Sequence, residues 1–458
     1  MKIIIGGAGQ VGRGIAERLA QEQNDVTVID SSPVLVQSIT DALDVRGVVG
    51  FASYPETLAR AGAEDADMII AVTFADEVNM VACQVAHSLF DIPTKIARVR
   101  AQSYLGAQWS SMFSRENMPI DVIISPEIAV GDMVLRRLAL PGAFEAVYFV
   151  DDKVIAMGIT CDEDCPVVDT PLSQLTELFP DLQATVVGIA RDKSLFVPHG
   201  DDQMLEGDRV YLVADKTHAQ RALGIFGHEE RQARKVLIAG GGSIGLYVAS
   251  KLEELEGRTQ VKLIEADRAR AIEIADKLNR TVVLHGSAME QALLREAGAD
   301  EMEAFVALSN SDNVNVLSSV MAKAEGAKQT LSLIQTRDYD GILGPLGIDA
   351  YVNPRTVTVS SILRHVRRGR IRGVYPVMNG EGEIVEAEAM ETSPVIGRPI
   401  REAGLPHGIR IGAMVRDEEV MIPSGDTEIK PGDKIVLFVH QSAVREVEKL
   451  FRVSLEYF

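Results

Sequence analysis

Cysteine and net positive charge are scarce in this chain, and each shortage removes a class of protein. Three cysteines, Cys83, Cys161 and Cys165, in 458 residues cannot brace a chain of this length with disulfides, which points to a reducing compartment. No apolar run approaches the roughly 20 residues that a bilayer-spanning helix needs. The apolar start is broken by Gly6, Gly7 and Gly9 and followed by Arg13, Glu17 and Arg18, so it does not read as a signal peptide. A formal net charge of -20 argues against nucleic acid, whose binding is driven by lysine and arginine releasing condensed counterions. Catalytic patterns are missing too. The eight histidines are scattered, and no nucleophile elbow, Walker loop or zinc spacing occurs.

What is present is a globular composition, 46% apolar and 24% charged, long enough for two to four domains. The chain is also written twice. "GVVGFASYPETLARAGAEDADMIIAVTFADEVNMVACQVA" (47–86) matches "TVVLHGSAMEQALLREAGADEMEAFVALSNSDNVNVLSSVMA" (281–322), pairing Gly50 with Gly286, Asp76 with Asp312 and Asn79 with Asn315. "PHGDDQMLEGDRVYLV" (198–213) matches "PSGDTEIKPGDKIVLF" (423–438). The order is A-B-A-B. Module A alternates apolar strands with amphipathic helices, the pattern of parallel βαβ units in a doubly wound α/β sheet. Module B reads as short strands with helical pieces near Leu172–Phe179 and Lys216–Phe226, a small α+β domain. Candidate joints are Pro141-Gly142, the charged run 227–235 and the Arg-Gly stretch ending at Gly373.

Each module A opens with a strand, a Gly-x-Gly-x-x-Gly loop and a helix. The glycines are Gly7, Gly9 and Gly12 in the first copy and Gly240, Gly242 and Gly245 in the second, with Gly241 extra. Such a loop lets backbone amides and a helix dipole face a pyrophosphate. An acid ends the second strand of each copy, Asp30 in "DVTVID" and Glu265 in "QVKLIEAD". An acid there accepts hydrogen bonds from ribose hydroxyls and repels a 2'-phosphate, which favours NAD(H) or an adenine nucleotide over NADP(H). Capping of the next helix is the alternative role, and Asp267 competes with Glu265. Thr73 with Phe74, and Ser309 with Asn310, fall at the carboxyl edge where such sheets bind ligands. Arg98 and Arg100 are placed to meet phosphate in the first copy, surface salt bridging being the alternative; the second copy has only Arg337 nearby.

Two motifs stand apart. "CDEDC" (161–165) reads as a solvated loop rather than a metal site, since zinc needs a second cysteine pair, and Cys83 is expected to be buried in an apolar helix. Arg364, Arg367, Arg368, Arg370 and Arg372 form a basic cluster in an acidic chain, suited to a solvated helix end, a nucleotide, a neighbouring subunit or a partner.

"MKIIIGGAGQVGRGIAERL", "VTVID", "AVTFADEVNM", "KIARVR", "PEIAVGDMVLRRLALPGA" and the doubled P-x-G-D tail closely resemble the TrkA family of bacterial Trk potassium uptake systems, over nearly the whole chain. The resemblance implies two Rossmann-like doubly wound parallel sheets alternating with two small α+β domains, a tandem RCK N-terminal and C-terminal repeat spanning 1–124, 140–227, 234–353 and 373–458. It also implies a protein that is no enzyme: a cytoplasmic regulator, peripheral to the inner face of the membrane, that forms a ring, a homotetramer, beneath an integral potassium-translocating subunit of TrkH/TrkG type. The first NAD(H) site would use Gly7, Ala8, Gly9, Gln10, Val11, Gly12, Asp30, Thr73, Phe74 and Arg98, with Arg100 beside them. The second would use Gly240, Gly241, Gly242, Ser243, Ile244, Gly245 and Glu265, with ATP or ADP as the alternative ligand at one of the two. Glu77 becomes Asn313 and Arg98 has no clear arginine counterpart, so the two sites are not expected to bind equally. An NAD-dependent oxidoreductase is the competing reading, and it needs a proton donor facing the nicotinamide. A redox or metal sensor built on "CDEDC" is the third.

Overall fold

The computed structural model describes all residues except 180, 193, 230–231, 256–258, 337–338, 340, 367–370 and 452–458. The chain separates into two compact bodies, one formed by Met1–Val130 with Asn353–Ile362 and the other by Gly131–Val352 with Leu363–Phe458.

In the first body the elements run β1 (Lys2–Gly6), α1 (Gln10–Gln21), β2 (Asp25–Asp30), α2 (Pro33–Ala42), β3 (Arg46–Val49), α3 (Pro55–Arg60), β4 (Met68–Ala71), α4 (Asp76–Phe90), β5 (Thr94–Arg98) and β6 (Val122–Ile124), followed by the start of α5 (Pro126–Ala139). The six strands are parallel in the order β3-β2-β1-β4-β5-β6. The order reverses between β1 and β4, which is the switch point where open α/β sheets leave a crevice. β1 and β4 are nearly continuous apolar runs (Ile3, Ile4, Ile5; Met68, Ile69, Ile70), buried on both faces as helix-covered parallel strands must be. β6, three residues long, is too short to stand out in the sequence.

The second body holds three sheets. β7 (Ala143–Phe149), β8 (Val154–Thr160), α6 (Leu172–Leu178), β9 (Ala184–Arg191), β10 (Ser194–Phe196), β11 (Arg209–Asp215) and α7 (Ala219–Ile225) make an antiparallel sheet ordered β10-β9-β11-β8-β7 with its two helices. Then β12 (Lys235–Ala239), α8 (Ser243–Glu254), β13 (Gln260–Glu265), α9 (Arg268–Lys277), β14 (Val282–His285), α10 (Gln291–Glu296), β15 (Ala304–Ala307), α11 (Asp312–Ala324), β16 (Gln329–Leu333) and β17 (Ala350–Val352) repeat the parallel sheet in the order β14-β13-β12-β15-β16-β17. After α12 (Pro354–Val366), β18 (Ile371–Val377), β19 (Gly382–Glu388), β20 (Ile409–Arg416), β21 (Glu419–Met421), β22 (Lys434–His440) and α13 (Val444–Leu450) form a second antiparallel sheet, ordered β18-β19-β22-β20-β21. The tandem of two parallel and two small antiparallel domains is thus the architecture of the chain.

The doubled P-x-G-D…GD tail has a physical explanation. Asp208 and Asp433, the acids of the two final Gly-Asp pairs, are both buried at 1% exposure. Each takes a two-pronged arginine, Arg191 at 2.9 and 2.7 Å and Arg416 at 2.8 and 2.6 Å, and each accepts the amide of a turn residue, Leu205 or Lys430, at 2.8 Å. A buried carboxylate left without that fork is costly, because its charge is out of water. Asp208→Ala and Asp433→Ala are each expected to destabilise their own small domain by about 2–4 kcal/mol, while exposed Asp201→Ala changes nothing. Urea titrations read this directly, and equal midpoints for all three variants would exclude the clasp as a structural element.

Candidate functional site

Three glycines of each loop have three different reasons to be glycine. Gly7 and Gly240 have φ of +115° and +108°, a backbone that side chains resist. At Gly12 and Gly245 an added Cβ would collide with the carbonyl oxygen of Gly7 or Gly240, so helix and loop approach this closely only without one. At Gly9 and Gly242 an added Cβ would meet nothing within 4 Å: the space beside the loop is open there. α1 and α8 also start without any side-chain cap, whereas α2 is capped by Ser32 and α9 by Asp267. Gln10, Val11, Ser243 and Ile244 therefore lie in first turns whose amides have no intrahelical partner, a positive helix end suited to an anion.

The acid of each copy closes the loop from the other side. Asp30 accepts the amide of Ala8 at 2.7 Å and that of Ser32 at 2.8 Å; Glu265 accepts Gly241 at 2.7 Å and Asp267 at 2.8 Å. Helix capping and loop contact are separate tasks: Asp267 caps α9 through the amide of Arg270, at 2.7 Å, and Glu265 faces the glycine loop. Gly241, where the first copy has Ala8, also finds its reason. A Cβ there would come within 2.2 Å of Ile274 Cδ1 and 2.9 Å of a Glu265 carboxylate oxygen, so a helix side chain and the longer acid together fill the room beside the loop.

The carboxyl ends of β4 and β5 are tied by a residue whose role was not evident from composition or spacing. Asn79, fully buried on α4, accepts the amide and hydroxyl of Thr73 at 2.8 and 2.7 Å and donates to the carbonyls of Thr73 and Arg98 at 3.2 and 3.0 Å. Asn315 repeats this with Ser309 (amide 2.9 Å, carbonyl 2.9 Å) and the carbonyl of Leu333 (2.8 Å). Asp76 accepts the amides of Arg100 and Ala101, both at 2.9 Å, as Asp312 does those of Gln335 and Thr336. The identity of these residues between the two copies was the only signal for them.

These bonds fix the correspondence of the copies: Arg98 answers to Leu333 and Arg100 to Gln335. At these two positions the first site carries cations, and the second carries Leu333 and Gln335 instead. Arg98 is half-buried, its Nε has no hydrogen-bond partner, and burial followed by the Arg100 charge lowers its pKa. Arg100 Nε binds Glu127, in the first turn of α5, at 2.9 Å, and its guanidinium lies 5.0 Å from the ring centre of Phe74, which is 84% exposed. Ser309 and Asn310 occupy the places of Thr73 and Phe74. Arg337, Arg367, Arg368 and Arg370 lie outside the described residues; Arg372 pairs with Glu388 on the neighbouring strand.

"CDEDC" corrects one expectation. Its three acids are exposed, but Cys161 and Cys165 are buried in the core of the first small domain. Cys83 is buried as expected. Among the described residues no group of three His, Cys, Asp or Glu side chains is arranged to hold a metal ion, and no helix is long and apolar enough to cross a membrane.

With this geometry in hand, the chain was compared with known proteins. The TrkA-N domain model matches residues 3–126 and 236–354, and the TrkA-C domain model matches 156–227 and 384–452. The Trk system potassium uptake protein TrkA of Azorhizobium caulinodans is 56% identical over 458 residues, covering all of both chains, and that of Halomonas elongata is 42% identical, again over all of both chains. Among solved structures, the GsuK RCK domain superposes with a TM-score of 0.60 at 17% identity over 98% of this chain and 94% of that one. A GsuK channel bound to NAD gives 0.59 at 17% identity over 98% and 78%.

The loop geometry predicts a compensating pair. Gly241→Ala is expected to destabilise the second parallel domain by about 1–3 kcal/mol through overpacking against Ile274 and Glu265, and adding Glu265→Asp, which relieves the second contact and leaves the first, is expected to restore part of it. Thermal unfolding of the three proteins reads the cycle; simple additivity would overturn the packing argument.

Proposed function

The chain belongs to the TrkA family, and on that premise we propose that it is the nucleotide-sensing regulatory subunit of a Trk-type potassium uptake system. It binds NAD(H) as a signal rather than as a reactant. It acts from the cytoplasmic side, as a homotetrameric ring bound to a membrane translocating subunit of TrkH/TrkG type. The observation that carries this reading is the doubled cradle: an open glycine, an uncapped helix start and a ribose-facing acid, present in both copies.

In the first site Gly7 to Gly12 hold the pyrophosphate, Asp30 the ribose, and Arg98, with its unpartnered Nε, a further negative group; Thr73, Phe74 and Arg100 complete the edge. In the second, Gly240 to Gly245 and Glu265 do the same without the arginines. That second site takes its ligand more weakly or takes a different one, ADP or ATP. A ligand shifts a conformational equilibrium only through different affinity for the two states. The first cradle has the means. Arg100 is shared between the ligand edge and Glu127 of α5, the helix through which the chain leaves this domain, and Arg355 of α12 pairs with Glu17 of α1 at 3.2 Å. An anion that draws Arg100 towards itself loosens the start of α5, and this is how occupancy becomes movement.

Titration of the purified protein with NADH tests the reading. Asp30→Ala is expected to weaken the first site roughly ten- to hundredfold, the loss of hydrogen bonds to a charged acceptor, with Glu265→Ala affecting only the other site. NADH should survive prolonged incubation unoxidised. Wild-type affinity in Asp30→Ala would remove the assigned carboxylate, and steady NADH oxidation would replace the reading by an oxidoreductase. Arg98→Leu with Arg100→Gln is expected to give the first site the weaker salt dependence of the second, since fewer cations neutralise the ligand.

A further inference from the structure

The three cysteines are buried, but their surroundings differ. Cys83 is alone on α4, its thiol 3.8 Å from the carbonyl of Ile96, and burial pushes it up to about 12. Cys161 and Cys165 sit on one tight turn: the amide of Cys165 binds the carbonyl of Asp162 at 3.0 Å, and Cys161 is pinned from both sides by Asp208 (2.8 Å) and Gly207 (2.7 Å) of the neighbouring turn. The turn places both side chains in the same buried core, with the two thiols within hydrogen-bonding reach of each other.

We propose that Cys161 and Cys165 are a redox modification site that closes to an intramolecular disulfide on exposure to a hydroperoxide. Cys165 is the attacking sulfur. The Cys161 S–H above all, then the amides of Val167 and Val168 and the nearby His228, stabilise its thiolate and bring it down to about 6 against the opposing effect of burial; Cys161 is pushed up by the same hydrogen bond, by burial and by the charges of Cys165, Asp208 and Asp162. A thiolate at neutral pH is the reactive form. The cavity of about 740 Å³ beside the turn is lined by Asp162 and His228 and by neither cysteine, so a molecule as small as peroxide meets Cys165 through the 7% of it that stays exposed.

The chemistry balances without a further reactant. The Cys165 thiolate attacks one peroxide oxygen, an S–O bond forms as the O–O bond breaks, and the leaving hydroxide takes a proton to become water. Cys161 then attacks the Cys165 sulfenic sulfur; the S–S bond forms, the S–O bond breaks, and the departing hydroxide leaves as water with the Cys161 proton. The two thiols together lose two electrons and the peroxide gains them. In a reducing compartment such a disulfide is transient, as a sensor requires. It fastens the turn against which Gly227 lies at the start of the segment leading to β12.

The test uses the full chain, treated with hydrogen peroxide, alkylated in denaturant and mapped by peptide mass. The expected result is a Cys161–Cys165 disulfide, the loss of two of the three titratable thiols, reversal by dithiothreitol, and an untouched Cys83. In Cys161→Ser, Cys165 should stop at a sulfenic acid that dimedone traps; in Cys165→Ser, Cys161 should stay a free thiol. Should either variant fold poorly, brief iodoacetamide labelling of the native parent chain should mark Cys165 well ahead of Cys161 and Cys83. Three free thiols after a treatment that oxidises glutathione, over-oxidation of Cys165 without a disulfide, or a disulfide between two chains would each overturn the proposal.

Discussion

The contact between the carbonyl of Gly7 and the bare Cα of Gly12, repeated at Gly240 and Gly245, is the constraint on which the shape of both glycine-loop cradles depends. Because no Cβ intervenes, α1 starts directly beneath the loop that ends β1 and its amides stay at the sheet's carboxyl edge. A methyl group there would sit 1.8 Å from the Gly7 oxygen, or 1.9 Å from that of Gly240, and would force the helix away from the loop. Asp30 would then lose the loop amide it holds at 2.7 Å, since a short side chain on a rigid strand cannot follow. The buried asparagines serve the other half of the same edge. Asn79 and Asn315 use both ends of an amide to bridge two parallel strands beyond the point where their ladder ends, and leaving such a buried amide unpaired would cost more than it contributes when satisfied.

At one pair of equivalent places the two copies have exchanged the helix that carries the glycine. In one body Gly14 of α1 lies under Arg355 and Val359 of α12; in the other, Tyr247 of α8, at the position matching Gly14, lies over Gly131 of α5, at the position matching Val359. The larger side chain sits on opposite helices in the two copies, and in each a glycine opposite makes room for it, as close packing requires. Each contact has its polar fastening, Arg355 to Glu17 at 3.2 Å and the Tyr247 hydroxyl to Asp132 at 2.7 Å. A helix of each crossover is thereby held to the helix that opens a nucleotide cradle.

What was legible in the sequence was whatever is local. A glycine loop, a strand and an acid some twenty residues on lie close in the chain, so the cradle and its position in a parallel sheet could be read directly. Asn79 could not, because three of its bonds reach back to Thr73 and one reaches on to Arg98, and no short-range pattern records that geometry. Three-residue strands such as β6 and β17 carry too little periodicity to be seen. "CDEDC" misled for a related reason: three exposed acids dominate its composition, whereas the placement of its two thiols is decided by the turns at Asp162 and Gly207.

The inequality of the two cradles follows from the same local accounting applied to charge. Backbone parts of the site, the loop, the helix start and the strand ends, are retained because the fold itself requires them. Arg98 and Arg100 are not required by the fold; Leu333 and Gln335 occupy the same strand end with the same asparagine bond behind them. Losing two cations at a half-buried edge removes attraction for phosphate without disturbing the cradle's shape, so affinity can change while geometry stays. Two identical cradles on one chain would fill together and report a single threshold. On the proposed reading, two that share a shape but differ in charge would fill at different concentrations or with different nucleotides, and only the first has an arginine, Arg100, tied to Glu127 of α5. The residues that separate the copies would then be the ones through which such a sensor distinguishes one nucleotide state from another.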